Sequence, residues 1–139
     1  MLFRSPGQGE QFVDGLTREA FGQMLSSVSS GIDARGADQY FKAYADEPRR
    51  RGQLELYRSG DFSKLKAYEG RLAAIGVPFL ALWGENDPFA PVAGAHRFAK
   101  EVPGARVEVI PGTGHFVFED APGQAAEVLA GFLDEVAPR

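Results

Sequence analysis

Two stretches of sequence decide the fold: residues 79–92 read FLALWGENDPFAPV, and residues 106–116 read RVEVIPGTGHF. The first begins with the apolar run Phe79–Trp83, and the second begins with Arg106–Ile110, which is rich in β-branched residues typical of strands. Each run continues into a loop of glycine, proline and polar residues. A helical segment separates the two runs, and a strand–helix–strand unit with a continuous apolar first strand predicts parallel pairing. This part of the chain is therefore predicted to have an α/β fold.

Helical periodicity follows each predicted strand. Pro91 opens a helix between the two strands, and a last helix follows the second strand. Apolar residues recur at helical spacing at Ala95, Phe98, Ala99 and Val102 in the first helix, and at Ala125, Val128, Leu129, Phe132, Leu133 and Val136 in the last. The predicted order is strand, helix, strand, helix.

The chain upstream of Gly76 shows helical periodicity throughout. Its clearest helix carries Phe21, Met24, Leu25 and Val28 at i, i+3, i+4 and i+7, with Thr17 as the N-cap. Three further helices are predicted, one with Tyr40, Phe41 and Tyr44, one that starts near Pro48 with Leu54 and Tyr57, and one with Leu65, Tyr68, Leu72 and Ile75 that ends at Gly76. We therefore divide the chain into a helical region, residues 1–76, and a βαβα segment, residues 77–139.

The composition excludes several classes of function. The 139 residues contain 44% hydrophobic and 24% charged residues, the balance of an ordinary globular domain. A net charge of −4 argues against a nucleic-acid partner. With no cysteine and only two histidines, the sequence shows no recognisable metal or cofactor site. The sequence shows neither a transmembrane run nor a secretory signal, so we expect a cytoplasmic protein with no membrane partner.

One side chain suited to proton transfer follows each predicted strand: Asp87 after the first and His115 after the second. Because parallel strands end at the same edge of a sheet, the two loops are expected to converge. A carboxylate bonded to one imidazole nitrogen leaves the other nitrogen free to accept a proton. The residues alone also allow a turn-forming Asp87 before Pro88 and a His115 that only packs its loop.

The stretches LALWGENDPF (residues 80–89) and VIPGTGHF (residues 109–116) resemble the C-terminal half of the α/β-hydrolase superfamily. In that family an aspartate after the penultimate strand and a histidine after the last strand are the acid and base of a catalytic triad. The resemblance covers residues 77–136 and implies these roles for Asp87 and His115.

The upstream helical region resembles the lid that many members of the superfamily insert before these strands. The stretches EPRR (residues 47–50) and LYRSGDF (residues 56–62) are similar to lids of the haloalkane-dehalogenase-like and epoxide-hydrolase-like branch. The implied fold class is α/β: the C-terminal part of an α/β-hydrolase fold, two parallel strands with flanking helices, preceded by a helical lid in residues 1–76.

The nucleophile elbow of the family is missing from the 139 residues. No serine and no aspartate has a glycine both two positions before and two positions after it. Intact relatives of this kind hydrolyse small apolar esters, epoxides or halides, whereas we expect this chain to be a fragment that is inactive alone. Two alternatives stay open: a non-catalytic binding or self-associating module that uses an open edge of strand Phe79–Trp83, and one half of a split hydrolase that a separate N-terminal half completes.

Overall fold

A computed structural model of the chain describes residues 2–137. The described residues form helices first and then the predicted succession of strand, helix, strand and helix, with one short additional helix before the last one. The bounds are α1 Gln8–Gly15, α2 Arg18–Ser26, α3 Ala34–Phe41, α4 Glu47–Ser59, β1 Leu80–Gly84, α5 Ala93–Glu101, β2 Arg106–Ile110, α6 Val117–Asp120 and α7 Pro122–Val136. Short 3-10 segments lie at Leu2–Arg4, Lys42–Tyr44, Phe62–Tyr68 and Leu72–Ala74. Within residues 2–137, no helix is long and apolar enough to cross a bilayer.

The two strands pair in parallel, as the sequence predicts. The register runs from Leu80 opposite Arg106 to Gly84 opposite Ile110. Strand β2 has the predicted bounds, and β1 begins and ends one residue later than the predicted strand Phe79–Trp83. The parallel register brings the loops that follow β1 and β2 to the same edge of the sheet.

A small buried cluster connects the strands to the last two helices. Ile110, at the end of β2, is only 1% exposed and clusters with Val117 of α6 and Ala125 of α7. Leu82 and Ala121 pack against this cluster. The loop between β2 and α6 is therefore anchored at both of its ends.

Helix α5 connects the two strands and packs on β1 with aromatic contacts. The Phe98 ring lies 5.0 Å from the ring of Phe79 and 6.3 Å from the ring of Trp83, measured between centroids. Ala95 of the same helix is fully buried. The indole N–H of Trp83 donates to the carbonyl of Ala90 at 2.6 Å, which fixes the end of the loop after β1. The predicted helical connection is confirmed.

Backbone proximity divides the chain into two compact units. One consists of residues up to Leu25 and Asp33–Ala67, and the other of Ser26–Ile32 and the chain from Tyr68 onward. This division does not coincide with the boundary predicted at Gly76, because the second unit begins earlier and includes Ser26–Ile32. That short segment belongs to the second unit because it hydrogen-bonds to the loop after β2, where the His115 amide donates to the Val28 carbonyl at 2.8 Å.

The first unit is held by aromatic packing and by capped helices. Phe21 is buried, and its ring contacts the rings of Phe41 and Tyr44. The Thr17 hydroxyl accepts from the Ala20 amide at 3.2 Å, which confirms the predicted N-cap of α2. In α4 the Asp46 carboxylate accepts from the Arg49 amide at 3.0 Å and Pro48 lies in the first turn, as predicted.

The helix predicted over Leu65–Ile75 is wrong. The structure has two 3-10 segments there, and Gly70 between them has a φ of 72°. Leu65, Tyr68 and Ile75 are exposed, so burial of an apolar face does not stabilise a continuous helix. Gly76 does adopt the predicted left-handed conformation, with a φ of 67°.

Two other helices end earlier than the sequence pattern predicts. Helix α2 ends at Ser26, so Val28 lies in the loop that follows rather than on the predicted helix. Tyr44 lies in the 3-10 segment Lys42–Tyr44, which continues α3 with tighter turns.

Candidate functional site at the carboxyl ends of the strands

The loop after β1 is organised around the side chain of Asp87. Its Oδ1 accepts hydrogen bonds from the backbone amides of Phe89 at 2.8 Å and Ala90 at 2.9 Å. Such side-chain to backbone bonds stabilise a tight turn, and Pro88 at the following position suits it. The turn interpretation of Asp87 is therefore correct, and the turn leaves Oδ2 available for another partner.

The loop after β2 is bonded to the loop after β1 at several points. The Gly112 amide donates to the Glu85 carboxylate at 2.8 Å, and the Asn86 amide donates to the Thr113 carbonyl at 2.8 Å. The buried Thr113 hydroxyl donates to the Ile110 carbonyl at 2.8 Å. The first two bonds connect the two loops, and the third stabilises the loop after β2 itself.

The structure brings Asp87 and His115 together, as predicted. Nδ1 of His115 lies 2.9 Å from Oδ2 of Asp87, a hydrogen-bond distance. The Asp87 side chain is 8% exposed and the His115 side chain 39%, so the carboxylate is covered while the ring reaches solvent. With Nδ1–H donating to the carboxylate, the lone pair of Nε2 is available to accept a proton.

Hydrogen bonding keeps Asp87 ionised despite its burial. Burial raises the pKa of Asp87, but the hydrogen bonds from His115 and from the Ala90 and Phe89 amides outweigh burial and hold that pKa below its ordinary value. A carboxylate that is charged at neutral pH fixes the imidazole tautomer and stabilises an imidazolium. In this arrangement His115 can act as a general base, and the Asp87 carboxylate can stabilise its protonated form.

Two aromatic rings contact the His115 imidazole. The rings of Phe89 and Phe116 lie 5.0 Å and 5.2 Å from it between centroids, and both are nearly perpendicular to it. Edge-to-face contacts of this kind favour one ring orientation. Phe89 is 66% exposed, so its outer face is available to a ligand beside the histidine.

Close backbone approaches explain two of the glycines. A Cβ on Gly84 would lie 2.0 Å from the Gly114 carbonyl oxygen, and a Cβ on Gly114 would lie 2.2 Å from the Val28 carbonyl oxygen. Neither position has room for a side chain. Glycine at both positions allows the strand end, the His115 loop and the segment Ser26–Ile32 to touch.

Two similar side chains of this part of the chain lie outside the pair. Glu85 accepts a hydrogen bond from the Gly112 amide, and His96 is exposed on helix α5. The sequence did not point to Asp120, whose carboxylate accepts hydrogen bonds from the Gly114 amide in the His115 loop and from the Ser29 hydroxyl. The only local signal for Asp120 is its place at the end of the short helix after His115.

Comparisons with known proteins identify the family to which the chain belongs. The α/β-hydrolase fold family matches residues 5–122. The uncharacterised hydrolase YugF of Bacillus subtilis is 27% identical over 123 residues, which is 85% of this chain and 43% of that protein. Monoacylglycerol lipase ABHD6 of Bos taurus is 36% identical over 62 residues, 45% of this chain and 18% of the lipase.

Two solved structures have the same fold over most of the chain. A loop variant of the haloalkane dehalogenase DbeA from Bradyrhizobium elkanii matches with a TM-score of 0.77 and 25% identity, covering 97% of this chain and 48% of that one. A thermophilic esterase matches with a TM-score of 0.65 and 26% identity, covering 92% of this chain and 51% of the esterase. The chain thus spans about half the length of these structures. It belongs to the α/β-hydrolase fold family.

Proposed function

We propose that Asp87 and His115 are the acid and base of a hydrolytic triad. The observation that carries the proposal is the 2.9 Å contact between His115 Nδ1 and Asp87 Oδ2 at the shared end of two parallel strands. Membership in a family of hydrolases supports the same roles.

For an ester, Nε2 of His115 takes the proton of a serine nucleophile that attacks the carbonyl carbon, and the Asp87 carboxylate stabilises the imidazolium that forms. The imidazolium gives its proton to the departing alcohol, and the neutral ring then takes a proton from the water that cleaves the acyl intermediate and returns it to the serine. For an epoxide or halide the aspartate nucleophile carries no proton, and Nε2 takes a proton only from the water that hydrolyses the covalent intermediate. Asp87 itself remains ionised, which agrees with its lowered pKa.

The nucleophile and the oxyanion donors come, in this proposal, from polypeptide other than these 139 residues. No serine or aspartate of the sequence has the glycine spacing of an elbow. Without a nucleophile and without oxyanion stabilisation, a histidine–aspartate pair lacks the contributions that dominate catalysis. We therefore expect the isolated chain to hydrolyse esters, epoxides and haloalkanes no faster than background.

The substrates we propose for the completed enzyme are small and largely apolar, with an ester, epoxide or halide as the reacting group. Two of these reacting groups agree with the names of similar proteins, which include a monoacylglycerol lipase, an esterase and a haloalkane dehalogenase. The exposed Phe89 ring beside His115 is an apolar surface that suits such substrates. The helices of residues 1–76 keep the role of a lid in this proposal, and the cytoplasm remains the predicted location.

A chimera tests the proposal. This chain would replace the matching half of the thermophilic esterase, and hydrolysis of p-nitrophenyl acetate would be measured after the chimera is shown to unfold cooperatively. We expect activity that falls at least about 100-fold in His115→Ala, the contribution of a general base, and that is unchanged in His96→Ala. A folded chimera without activity, or equal activity with and without His115, would overturn the proposal.

A second candidate function is self-association, or pairing with a separate N-terminal half, through the edge of β1. Among residues 2–137, β1 pairs with β2 only, which leaves its other edge without a strand. Unpaired edges favour strand addition from another chain. Light scattering over a range of concentrations tests this candidate, and a monomer at every concentration with slow amide exchange along β1 would contradict it.

A further inference from the structure

The Asp120 carboxylate joins three backbone segments around His115. Its Oδ1 accepts from the Ser29 hydroxyl and, at 2.8 Å, from the Gly31 amide. Its Oδ2 accepts from the Gly114 amide at 2.6 Å. Asp120 ends helix α6, so one side chain links this helix, the loop after β2 and the segment Ser26–Ile32.

These bonds form a closed circuit that contains the backbone of His115. The Gly114 amide, just before His115, donates to Asp120, and the His115 amide donates to the Val28 carbonyl at 2.8 Å. Val28 lies in the same short segment whose Ser29 and Gly31 donate to Asp120. Two consecutive amides that lead into His115 are therefore held, one by Asp120 and one by Val28, and this restricts the direction of the His115 side chain.

The circuit has almost no room to adjust. A Cβ on Gly31 would lie 1.9 Å from the Glu119 carbonyl oxygen, and a Cβ on Gly114 would lie 2.2 Å from the Val28 carbonyl oxygen. At Gly31 and at Gly114 the backbone thus packs directly against other backbone, where small displacements cause clashes.

Asp120 is charged in this arrangement. Burial raises its pKa, but the hydrogen bonds from the Ser29 hydroxyl and from the Gly114, Gly31 and Ser30 amides outweigh burial and hold the pKa below its ordinary value. Hydrogen bonds to an ionised carboxylate are shorter and stronger than those between neutral groups.

We propose that Asp120 is a positioning residue that orients the His115 imidazole toward Asp87 through the Gly114 amide and the segment Ser26–Ile32. The inference rests on the proposed acid–base role of Asp87 and His115. Asp120 bonds to the Gly114 amide rather than to the His115 ring, and it acts through this amide and through the segment that accepts the bond from the His115 amide. Its removal should therefore loosen the bond from His115 Nδ1 to Asp87.

Nuclear magnetic resonance of the imidazole rings tests the proposal in the full chain. The sequence has two histidines, so His96 on α5 serves as an internal reference for His115. Spectra would be compared for the unchanged chain, Asp120→Asn, Asp87→Asn and Asp134→Asn. The last variant removes the same charge from an exposed position on α7.

We expect Asp120→Asn to shift the Nδ1 resonance of His115 and to speed solvent exchange of its proton about ten-fold, as loss of a well-formed hydrogen bond would. His96 and the spectrum of Asp134→Asn should be unchanged. If Asp120→Asn lowers the melting temperature but leaves the His115 resonances of the folded chain unchanged, Asp120 serves the fold alone and the inference is wrong.

Two further variants complete the test. Asp87→Asn must shift His115, because an unchanged His115 there would overturn the proposed function itself, independently of Asp120. If Asp120→Asn does not fold, Ser29→Ala decides, since it removes one of the donors to Asp120 and leaves the Gly31 and Gly114 amides in place. A His115 shift in Ser29→Ala supports the positioning role, and unchanged His115 resonances overturn it.

Discussion

Nδ1 of His115 and Oδ2 of Asp87 lie 2.9 Å apart, although the two residues are 28 positions apart in the chain. The parallel register of β1 and β2 brings them together, because Gly84 and Ile110 are paired at the same end of the sheet. Hydrogen bonds between the two loops then hold the side chains at bonding distance.

Replacing the acid should reduce turnover more than binding. In the esterase chimera, Asp87→Asn should lower kcat by about 10³- to 10⁴-fold with little change in KM, because the amide favours the wrong imidazole tautomer and does not stabilise the imidazolium. Steady-state kinetics with p-nitrophenyl acetate measure both constants, with Asp134→Asn as the control. A rise in KM at constant kcat would contradict the assigned role.

Phe89 should affect His115 without affecting the fold. Because the Phe89 ring contacts the His115 ring and is 66% exposed, Phe89→Ala should lower kcat/KM in the chimera several-fold, roughly the value of one aromatic pair, and leave the melting temperature nearly unchanged. Phe118→Ala is the matched control, since Phe118 is 53% exposed on the neighbouring helix α6. Equal losses in both variants would show that general surface packing, and not contact with His115, is responsible.

Glycine-to-alanine substitutions should have opposite effects at two positions. Gly114→Ala should destabilise the chain by at least about 1–3 kcal/mol, because its Cβ would lie 2.2 Å from the Val28 carbonyl oxygen. Gly131→Ala should stabilise it by about 0.5–1 kcal/mol, because this residue is inside helix α7 and its Cβ would meet nothing within 4 Å. Urea unfolding measures both changes, and a neutral Gly114→Ala would show that the loop shifts easily.

Lowering the pH should reduce the stability of the first unit, because it protonates the Glu10 carboxylate. The hydrogen bonds from Arg58, followed by those from backbone amides including Gly7, lower the pKa of Glu10 from its ordinary 4.5 to about 2. A carboxylate whose folded pKa is depressed contributes stability that is complete above the unfolded value and is lost as pH falls toward the folded value. Stability should therefore decrease between about pH 4.5 and about pH 2 through this group.

The matched variants are Glu10→Gln and Glu47→Gln. Glu10→Gln should make the urea midpoint less dependent on pH in that window, while Glu47→Gln removes an exposed carboxylate paired with Arg51 on its own helix and should leave the dependence as it was. Equal acid sensitivity in the unchanged chain and in Glu10→Gln would contradict the assignment.

The strands and the contact between Asp87 and His115 could be predicted because their signals are local. The apolar run before Gly84 and the β-branched residues of Arg106–Ile110 each indicate a strand from a few neighbouring residues, and the loop residues Asp87 and His115 follow directly. Parallel pairing then requires that the two loops meet. The helix over Leu65–Ile75 was predicted wrongly from an equally local pattern, because helical spacing does not reveal that those side chains are exposed.

The sequence by itself determined the two strands, their parallel order and the side chains that follow each of them. Only the tertiary structure decided how His115 is held, because Asp120 and its partner Ser29 are 91 positions apart and no local pattern connects them. A hydrogen bond between distant residues depends on where the whole chain places two backbone segments. At Gly31 and Gly114 that placement is possible only because a missing Cβ lets the backbones touch.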